Sequence, residues 1–377
     1  MAKKLAWSAT RPTIATIDLN AFQRNVRTLK EHAESDLFLA VIKTNAYGHG
    51  LVPIAEAALG AGADRLGITT LEEGIILREN GIDVPLLLLS DSFEGQVKDI
   101  ITYQLTASIS SVRLAKKFSE EAVKQNQLAR LHLKIDTGLH RFGVQPNEAL
   151  AFCEECYDLP GLHWEGIFTH FSDADEGNWN KTEKQFALFG DVISMIKGHG
   201  FIFPIRHAAG STVTIERAEM HLDLVRPGIA LFGYHPSPVQ KDILPLTPVM
   251  QLSTNILTIQ EVPAETTVGY GGNYVTKKDE RLAILPIGLG DGFSRALSNK
   301  GQVLVGGKRA KIVGNISLDQ TIIDVTHISD VKEGDTVVLI GKLGDDEITA
   351  EEIADWMGSI VDEVLACFTE RIPRVYV

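Results

Sequence analysis

Lys43 follows a short apolar run, LFLAVI at 37–42, and leads into Thr44, Asn45, Ala46, Tyr47 and a Gly-His-Gly at 48–50. An amine at the end of an apolar strand is partly desolvated, which lowers its pKa and suits it to condense with an aldehyde. A lysine whose stem merely reaches along the surface to water would occupy the same place, and position alone leaves both readings open. Further along stand Lys134, Asp136 and Arg141 after the run RLHLKI, Thr169 and His170 after WEGIFT, and His207 with Gly210, Ser211 and Thr212 after FPIRH. Arg226-Pro227-Gly228-Ile229 follows. A Gly-Ser turn entering a helix offers backbone N–H groups and a hydroxyl to a phosphate, although a plain N-cap serine looks the same in sequence. A lysine, a phosphate seat and several arginines and histidines, if brought to one face, suit a lysine-bound cofactor that carries a phosphate.

The elements that must position these residues show one alternation over the first two thirds of the chain. Strand-like runs fall at 37–42, 65–70, 85–90, 105–110, 130–135, 164–169, 203–207 and 223–231, with helical patterns between them at 51–61, 71–81, 113–127 and 180–197. Eight β-α units in succession predict an α/β fold with an N-terminal (β/α)8 TIM-like barrel, whose active site lies at the C-terminal ends of its strands. After about residue 240 the pattern turns β-rich, at 248–262, 281–287, 302–305, 309–314, 320–326 and 336–340, with a helix at 349–358 and a last strand near 372–377. This predicts a separate C-terminal mostly β domain. The run TIATIDL at 13–19 is spare once the barrel is counted and is expected to join that domain. The expected division is 1–15 as an N-terminal strand of the C-terminal domain, 16–240 as the barrel and 241–377 as the β domain.

Composition bounds the partners. Among 377 residues, 36 Lys and Arg face 49 Asp and Glu, a formal charge of −13, which argues against nucleic acid and acidic membranes. No signal peptide is visible, and no apolar run approaches the ~20 residues of a membrane span. Three cysteines, an odd and low count, point to a reducing, cytoplasmic compartment. Cys153 and Cys156 form a C-x-x-C, but His163 does not complete a zinc spacing, so no metal site is expected. VGYGGNY (268–274) and IGLGDGF (287–293) are glycine-dense, yet neither sits in a βαβ context, so neither reads as a dinucleotide loop. Tyr270, set between glycines, could project into a neighbouring site or pack within a strand.

Over essentially its whole length the sequence resembles the alanine racemase family. The resemblance is carried by AVIKTNAYGHG, HLKIDTGLHRFGV, WEGIFTHFSDADE, VRPGIALFGYHPS, VGYGGNY, PIGLGDGFSR, the LDQ at 318–320 and the terminal RIPRVY. It implies a pyridoxal 5'-phosphate enzyme that interconverts L- and D-alanine, built as a barrel plus a β domain. It also implies a homodimer in which each active site is completed by the partner's β domain. Carried over residue by residue, Lys43 would bind the cofactor covalently and act as one acid/base, with Tyr270 from the partner as the opposite one. Arg141 would sit near the cofactor's phenolic oxygen and the substrate carboxylate, with Lys134, matching a lysine that is carbamylated in some members, steadying it. Arg226 would meet the pyridine nitrogen with His170 behind it, and Tyr47, Ser211, Gly228 and Ile229 would hold the phosphate. Asp319 lies beside a backbone N–H expected to meet the substrate carboxylate.

Several positions depart from the family's pattern. Asp362 stands where a tyrosine usually bounds the substrate pocket, and Leu318 where a methionine is usual. Asn315 replaces an arginine, Leu289 a tyrosine and Gly210 an asparagine. A carboxylate in place of a ring leaves space and a hydrogen-bond acceptor, so serine is expected as an additional or alternative substrate. Three other readings compete: a same-fold decarboxylase, which would carry a triple-glycine phosphate loop not found here; a non-enzymatic cofactor carrier, which would be a lone barrel; and a barrel hydrolase using Asp136 and Asp173.

Overall fold

The computed structural model describes residues 11–377, so residues 1–10 of the expected 1–15 segment lie outside the described residues. The chain divides into two compact units, one of Asn20–Ala46 and Gly50–Pro248, the other gathering the N-terminal stretch through Leu19, Tyr47–His49 and Val249–Val377.

The first unit is an eight-stranded, nearly closed parallel barrel, TIM-like in architecture. Its strands one to eight are Leu37–Val41, Arg65–Ile68, Leu86–Leu88, Thr106–Ile109, Ala129–Lys134, Leu162–Phe168, Ile205–His207 and Leu224–Val225. They are short and buried along most of their length, which is why they read as continuous apolar runs and not as alternating ones. Strand eight is far shorter than the run 223–231 suggests. Pro227 has no N–H to give a ladder, and Ile229–Phe232 winds into a 3-10 helix. The Pro227 carbonyl still accepts from Val41 N–H at 3.0 Å. Between strands seven and eight the seam is held by Asp223 N–H to Arg206 O at 3.0 Å and Arg226 N–H to Ala209 O at 2.8 Å.

The helices follow their sequence signals. Helix Val112–Gln125 is capped by Ser111, whose side chain accepts from Leu114 N–H, and it ends at Asn126 in the left-handed region. Its buried Leu114, Ala115, Phe118 and Ala122 form one stripe at helical spacing. Trp179–Gly198 likewise turns Phe189, Val192 and Ile196 inward. Helix Leu19–His32, ahead of strand one, buries Phe22, Val26 and Leu29. None of the described helices is long and apolar enough to cross a membrane.

The second unit is mostly β. Its main sheet runs, in spatial order, Thr258–Val262, Glu280–Leu285, Thr321–Asp324, Lys308–Ile312, Gln302–Val305, Thr336–Leu343, Met250–Asn255, Ile14–Ile17 and Arg374–Tyr376, with Asp346–Ile348 paired to Thr336–Leu343 off this path. Strand Ile14–Ile17 pairs antiparallel with Met250–Asn255 and parallel with Arg374–Tyr376. The segment 248–262, continuous in sequence pattern, is two strands broken at Ile256–Leu257. Two helices, Ala350–Met357 and Val361–Ala366, stand near the C-terminus where one stretch was expected. A small hairpin, Thr267–Val268 with Tyr274–Val275, forms a separate two-stranded sheet in this unit, Val268 packing with Leu282 and Val313.

Candidate active site

The barrel brings the expected cationic residues to one face. Lys43 stands two residues beyond strand one, Lys134 ends strand five, His170 lies two residues past strand six, and Arg226 follows strand eight. All are at C-terminal strand ends, where barrel sites form. At His170, which is exposed to solvent, desolvation and then the charges of Arg226, Lys134, Arg141 and Lys43 lower the pKa from that of a free imidazole.

Lys43 is aimed by an unusual turn. Thr44, Asn45, Ala46 and Tyr47 have φ of 57°, 52°, 53° and 51°, a left-handed turn that costs roughly 1–2 kcal/mol per non-glycine residue. Within the barrel unit Ala46 N–H donates to Ile42 O at 2.9 Å, and Asn45 ties the turn to its surroundings. Asn45 N–H donates to Glu73 Oε1 at 3.2 Å, Asn45 Oδ1 accepts from Leu51 N–H at 2.9 Å, and Asn45 O accepts from Gly50 N–H at 3.0 Å. Glu73 also completes a capping box with Thr70 on helix Leu71–Glu79. Glu73→Ala removes the cap and the tie to Asn45 together. It is expected to cost about 1–2 kcal/mol, seen as a melting temperature lowered by a few degrees; an unchanged melting curve would show that Glu73 does not brace the turn.

Lys134 is buried, with its amine 5.2 Å from the ring centres of Phe142 and Phe168. Burial, then Arg141 and Arg226, push its pKa down to about 8 against the pull of Asp91 and Asp136. Arg141 is exposed and carried by a loop that Asp136 organises, its Oδ1 accepting from Gly138 N–H and His140 N–H at 3.0 Å each. Asp136 is thus bound to its own loop, and Asp173 pairs with Lys181 at 2.6 Å, so the two carboxylates weighed for hydrolysis each hold local partners.

Arg226 is buried. Its guanidinium donates to Thr169 O at 2.9 Å, Ala208 O at 3.1 Å and His207 Nδ1 at 2.9 Å. The imidazole hydrogen-bonded to it is therefore His207, and no such bond from His170 stands among the described residues. Burial pulls Arg226 down to about 9, still protonated at neutral pH. Ser211 begins helix Ser211–Glu216 but does not cap it. Gly210 holds the cap position, and the Ser211 hydroxyl accepts from Gly228 N–H at 2.9 Å and Ala230 N–H at 3.3 Å. Ser211, Gly228 and Ile229 thereby gather at one spot. The amine, hydroxyl, backbone N–H groups and guanidinium of this face together suit an anionic, phosphate-bearing ligand.

The second unit holds the other expected site residues. Tyr47 is buried there. Tyr270 lies in the turn of the small hairpin, not within a strand, and is 75% exposed. The turn needs Gly269 at φ 72°, Gly271 at 79° and Gly272 at 59°, conformations that a side chain resists. Asn315 Nδ2 donates to Tyr270 O at 2.7 Å, and Asn315 Oδ1 accepts from Asn273 Nδ2 at 2.9 Å, so the residue that departs from the family's arginine ties the turn in place. Leu318 is 62% exposed, and Asp319 accepts from Arg371 at 2.6 Å. No local pattern signals a pair 52 positions apart, so sequence reading missed Arg371. Asp362 lies in the first turn of helix Val361–Ala366.

A parallel β/α barrel with a lysine beyond its first strand and a hydroxyl, backbone N–H groups and a guanidinium beyond its last two, in a chain with a further β unit, defines a class of barrel enzyme. The sequence profile described as "Alanine racemase, N-terminal domain" matches residues 17–236, and "Alanine racemase, C-terminal domain" matches residues 249–376. The alanine racemase of Desulforamulus reducens is 42% identical over 97% of this chain and 99% of its own. The solved alanine racemase of Clostridium difficile 630 superposes with a TM-score of 0.93 at 36% identity, covering 98% of this chain and 97% of that one. The structure of alanine racemase from Bartonella henselae with covalently bound pyridoxal phosphate aligns with a TM-score of 0.87 at 28% identity, over 97% and 99% of the two chains. This chain belongs to the alanine racemase family.

Proposed function

We propose that this protein interconverts L- and D-alanine, using pyridoxal 5'-phosphate at the C-terminal mouth of the barrel. The observation that supports it most is the placement of Lys43, Lys134 and Arg226 at C-terminal strand ends of the barrel, with Arg141 on the loop after strand five, in a chain whose relatives bear that name. When bound, the cofactor supplies an aldehyde for covalent attachment and a conjugated ring that takes up the electron pair left at the substrate Cα. The Lys43 amine would hold the cofactor covalently and would carry a proton to or from one face of the substrate Cα. The Tyr270 hydroxyl does the same on the other face. A phenol becomes a base only beside cations, which the barrel mouth offers. Arg226 would face the ring nitrogen; a guanidinium has no proton to lose at working pH, so it would leave that nitrogen unprotonated and restrain side reactions. On the barrel, Ser211, Gly228 and Ile229 would hold the phosphate and Arg141 the substrate carboxylate; Tyr47, Leu318, Asp319 and Asp362 keep the roles that the family resemblance implies. Following D-alanine formation from L-alanine tests the activity directly, and no enantiomer formed by yellow, cofactor-loaded protein would refute it. The serine alternative, drawn from Asp362, gains no support from the relatives; comparing kcat/KM for the two amino acids decides it.

Tyr270 is exposed on its own chain, and the reading takes it from a second copy, in a homodimer with shared sites. Mixing and refolding Lys43→Ala with Tyr270→Phe chains should then restore about a quarter of wild-type activity, because half the dimers are hybrids with one intact site. No recovery would place both groups in one chain. Three unpaired cysteines, two of them buried, support a cytoplasmic setting. Lys134 is read as the steadying neighbour of Arg141. Carbamate forms only on the unprotonated amine, and the pKa of about 8 means that the modified fraction should rise with pH through that value. Carbon-13 NMR with labelled bicarbonate checks this, and a signal that survives Lys134→Met would assign it elsewhere.

A further inference from the structure

Behind Arg226 runs a chain of largely buried polar side chains that the proposed chemistry leaves unused. His207 Nε2 lies 2.8 Å from His132 Nδ1, His132 Nε2 lies 3.3 Å from Glu165 Oε2, and the same oxygen accepts from Arg65 Nη1 at 2.9 Å. With the His207–Arg226 bond, this makes a continuous chain through the barrel interior from Arg65 to Arg226. Both imidazoles are buried.

The chemistry of the two ends fixes its direction. A guanidinium only donates, and an ionised carboxylate only accepts. His207 Nδ1 must therefore accept from Arg226, which leaves its proton on Nε2. That proton goes to His132 Nδ1, so His132 also carries its own on Nε2 and donates it to Glu165. A proton added to either ring would face two N–H groups toward each other. Burial lowers the pKa of both rings, so they stay neutral. Glu165 stays ionised: burial opposes this, but its bonds to His132 and Arg65 hold it down at about 2.

The backbone is shaped around this chain. Strands five and six slip register between Leu131, paired with Trp164, and His132, paired with Gly166, which leaves Glu165 as the extra residue of a bulge. Bulges are rare between parallel strands and re-aim a side chain. Gly166 is the next residue, and a Cβ there would stand 2.6 Å from His132 Cε1 and Nδ1. Phe168 stacks flat on His207, with centroids 4.7 Å apart and planes 5° apart.

We propose that Arg65, Glu165 and His132 are positioning residues for Arg226: the one-way chain fixes both imidazoles as Nε2–H tautomers, orients the guanidinium toward the barrel mouth, and makes the Glu165 carboxylate its remote counter-charge. Among the described residues no ion pair joins Arg226 to a carboxylate, and a buried guanidinium without one is unstable unless aligned dipoles compensate it. The consequence for the cofactor rests on the proposed role of Arg226; the chain itself does not.

Imidazole nitrogen-15 NMR on the full-length protein, with and without pyridoxal 5'-phosphate, should report His132 and His207 as neutral Nε2–H tautomers. A protonated ring or an Nδ1–H tautomer at either position overturns the proposal. Glu165→Gln keeps the shape and an acceptor but removes the charge. It should raise the Kd for pyridoxal 5'-phosphate roughly tenfold, the effect of weakening one buried charge-assisted bond, and should shift the visible absorbance of the bound cofactor, with Glu165→Asp recovering part of both. Arg226→Leu separates the two ways of failing. If it alters affinity and spectrum while Glu165→Gln does not, the chain is structural only and the proposal falls. If neither variant alters them, the proposed role of Arg226 falls, and the positioning proposal with it.

Discussion

Lys43→Ala is expected to lower alanine racemisation by roughly 10⁴-fold or more and to leave the purified protein colourless. One group's acid/base work is worth about 10²–10⁴, and loss of the covalent anchor for the cofactor adds to it. The structural basis is the turn that follows strand one. Ile42 N–H is still tied to Gly67 O at 2.8 Å, and the next four residues after Lys43 are all left-handed. Such a run persists only where its surroundings over-determine it, and Asn45, Glu73 and Leu51 do so here. The strain fixes where the amine stands, so a shifted lysine cannot substitute: Thr44→Lys in the Lys43→Ala background should not rescue activity. Assays of D-alanine formation and of visible absorbance check both points, and full-speed turnover by Lys43→Ala would remove the basis of the mechanism.

Tyr270→Phe should behave differently. The hydroxyl is lost while the cofactor site on the barrel is untouched, so the protein should stay yellow and bind L-alanine, with kcat reduced about 10²–10⁴-fold. The ring is exposed, and its backbone is held by Asn315 and by three left-handed glycines. Removing an oxygen there leaves no cavity and no buried orphan, so the melting temperature should barely move. A Tyr270→Phe protein that racemises at the wild-type rate would take that hydroxyl out of the chemistry. One that loses its colour would assign Tyr270 to cofactor binding.

The fold was legible where a single physical rule governs. Buried parallel strands read as apolar runs, and seven of the eight barrel strands lie within a few residues of those runs. Strand eight does not, because a proline and a following 3-10 turn end it after two residues, while the carbonyl of Pro227 keeps its partner. Lys43, Ser211, Gly228 and Arg226 stood out because each follows a strand end. What the sequence hid depends on pairings across the fold. His207 and not His170 bonds Arg226, because strands seven and eight meet at that seam; spacing along the chain carries no such information. The Glu165 bulge changes which side of strand six faces the barrel interior, and no turn residue announces it. Asp319–Arg371 joins segments that only the β sheet brings together.

Racemisation of L-alanine in deuterium oxide tests the two-group mechanism most directly, with label at Cα measured in both enantiomers early in the reaction. With Lys43 and Tyr270 on opposite faces, the proton leaves toward one group and a solvent-exchanged one arrives from the other. The D-alanine formed should carry deuterium at Cα while the remaining L-alanine keeps its hydrogen. D-alanine that retains the original hydrogen would mean that one group carries the proton between faces, and would contradict this mechanism.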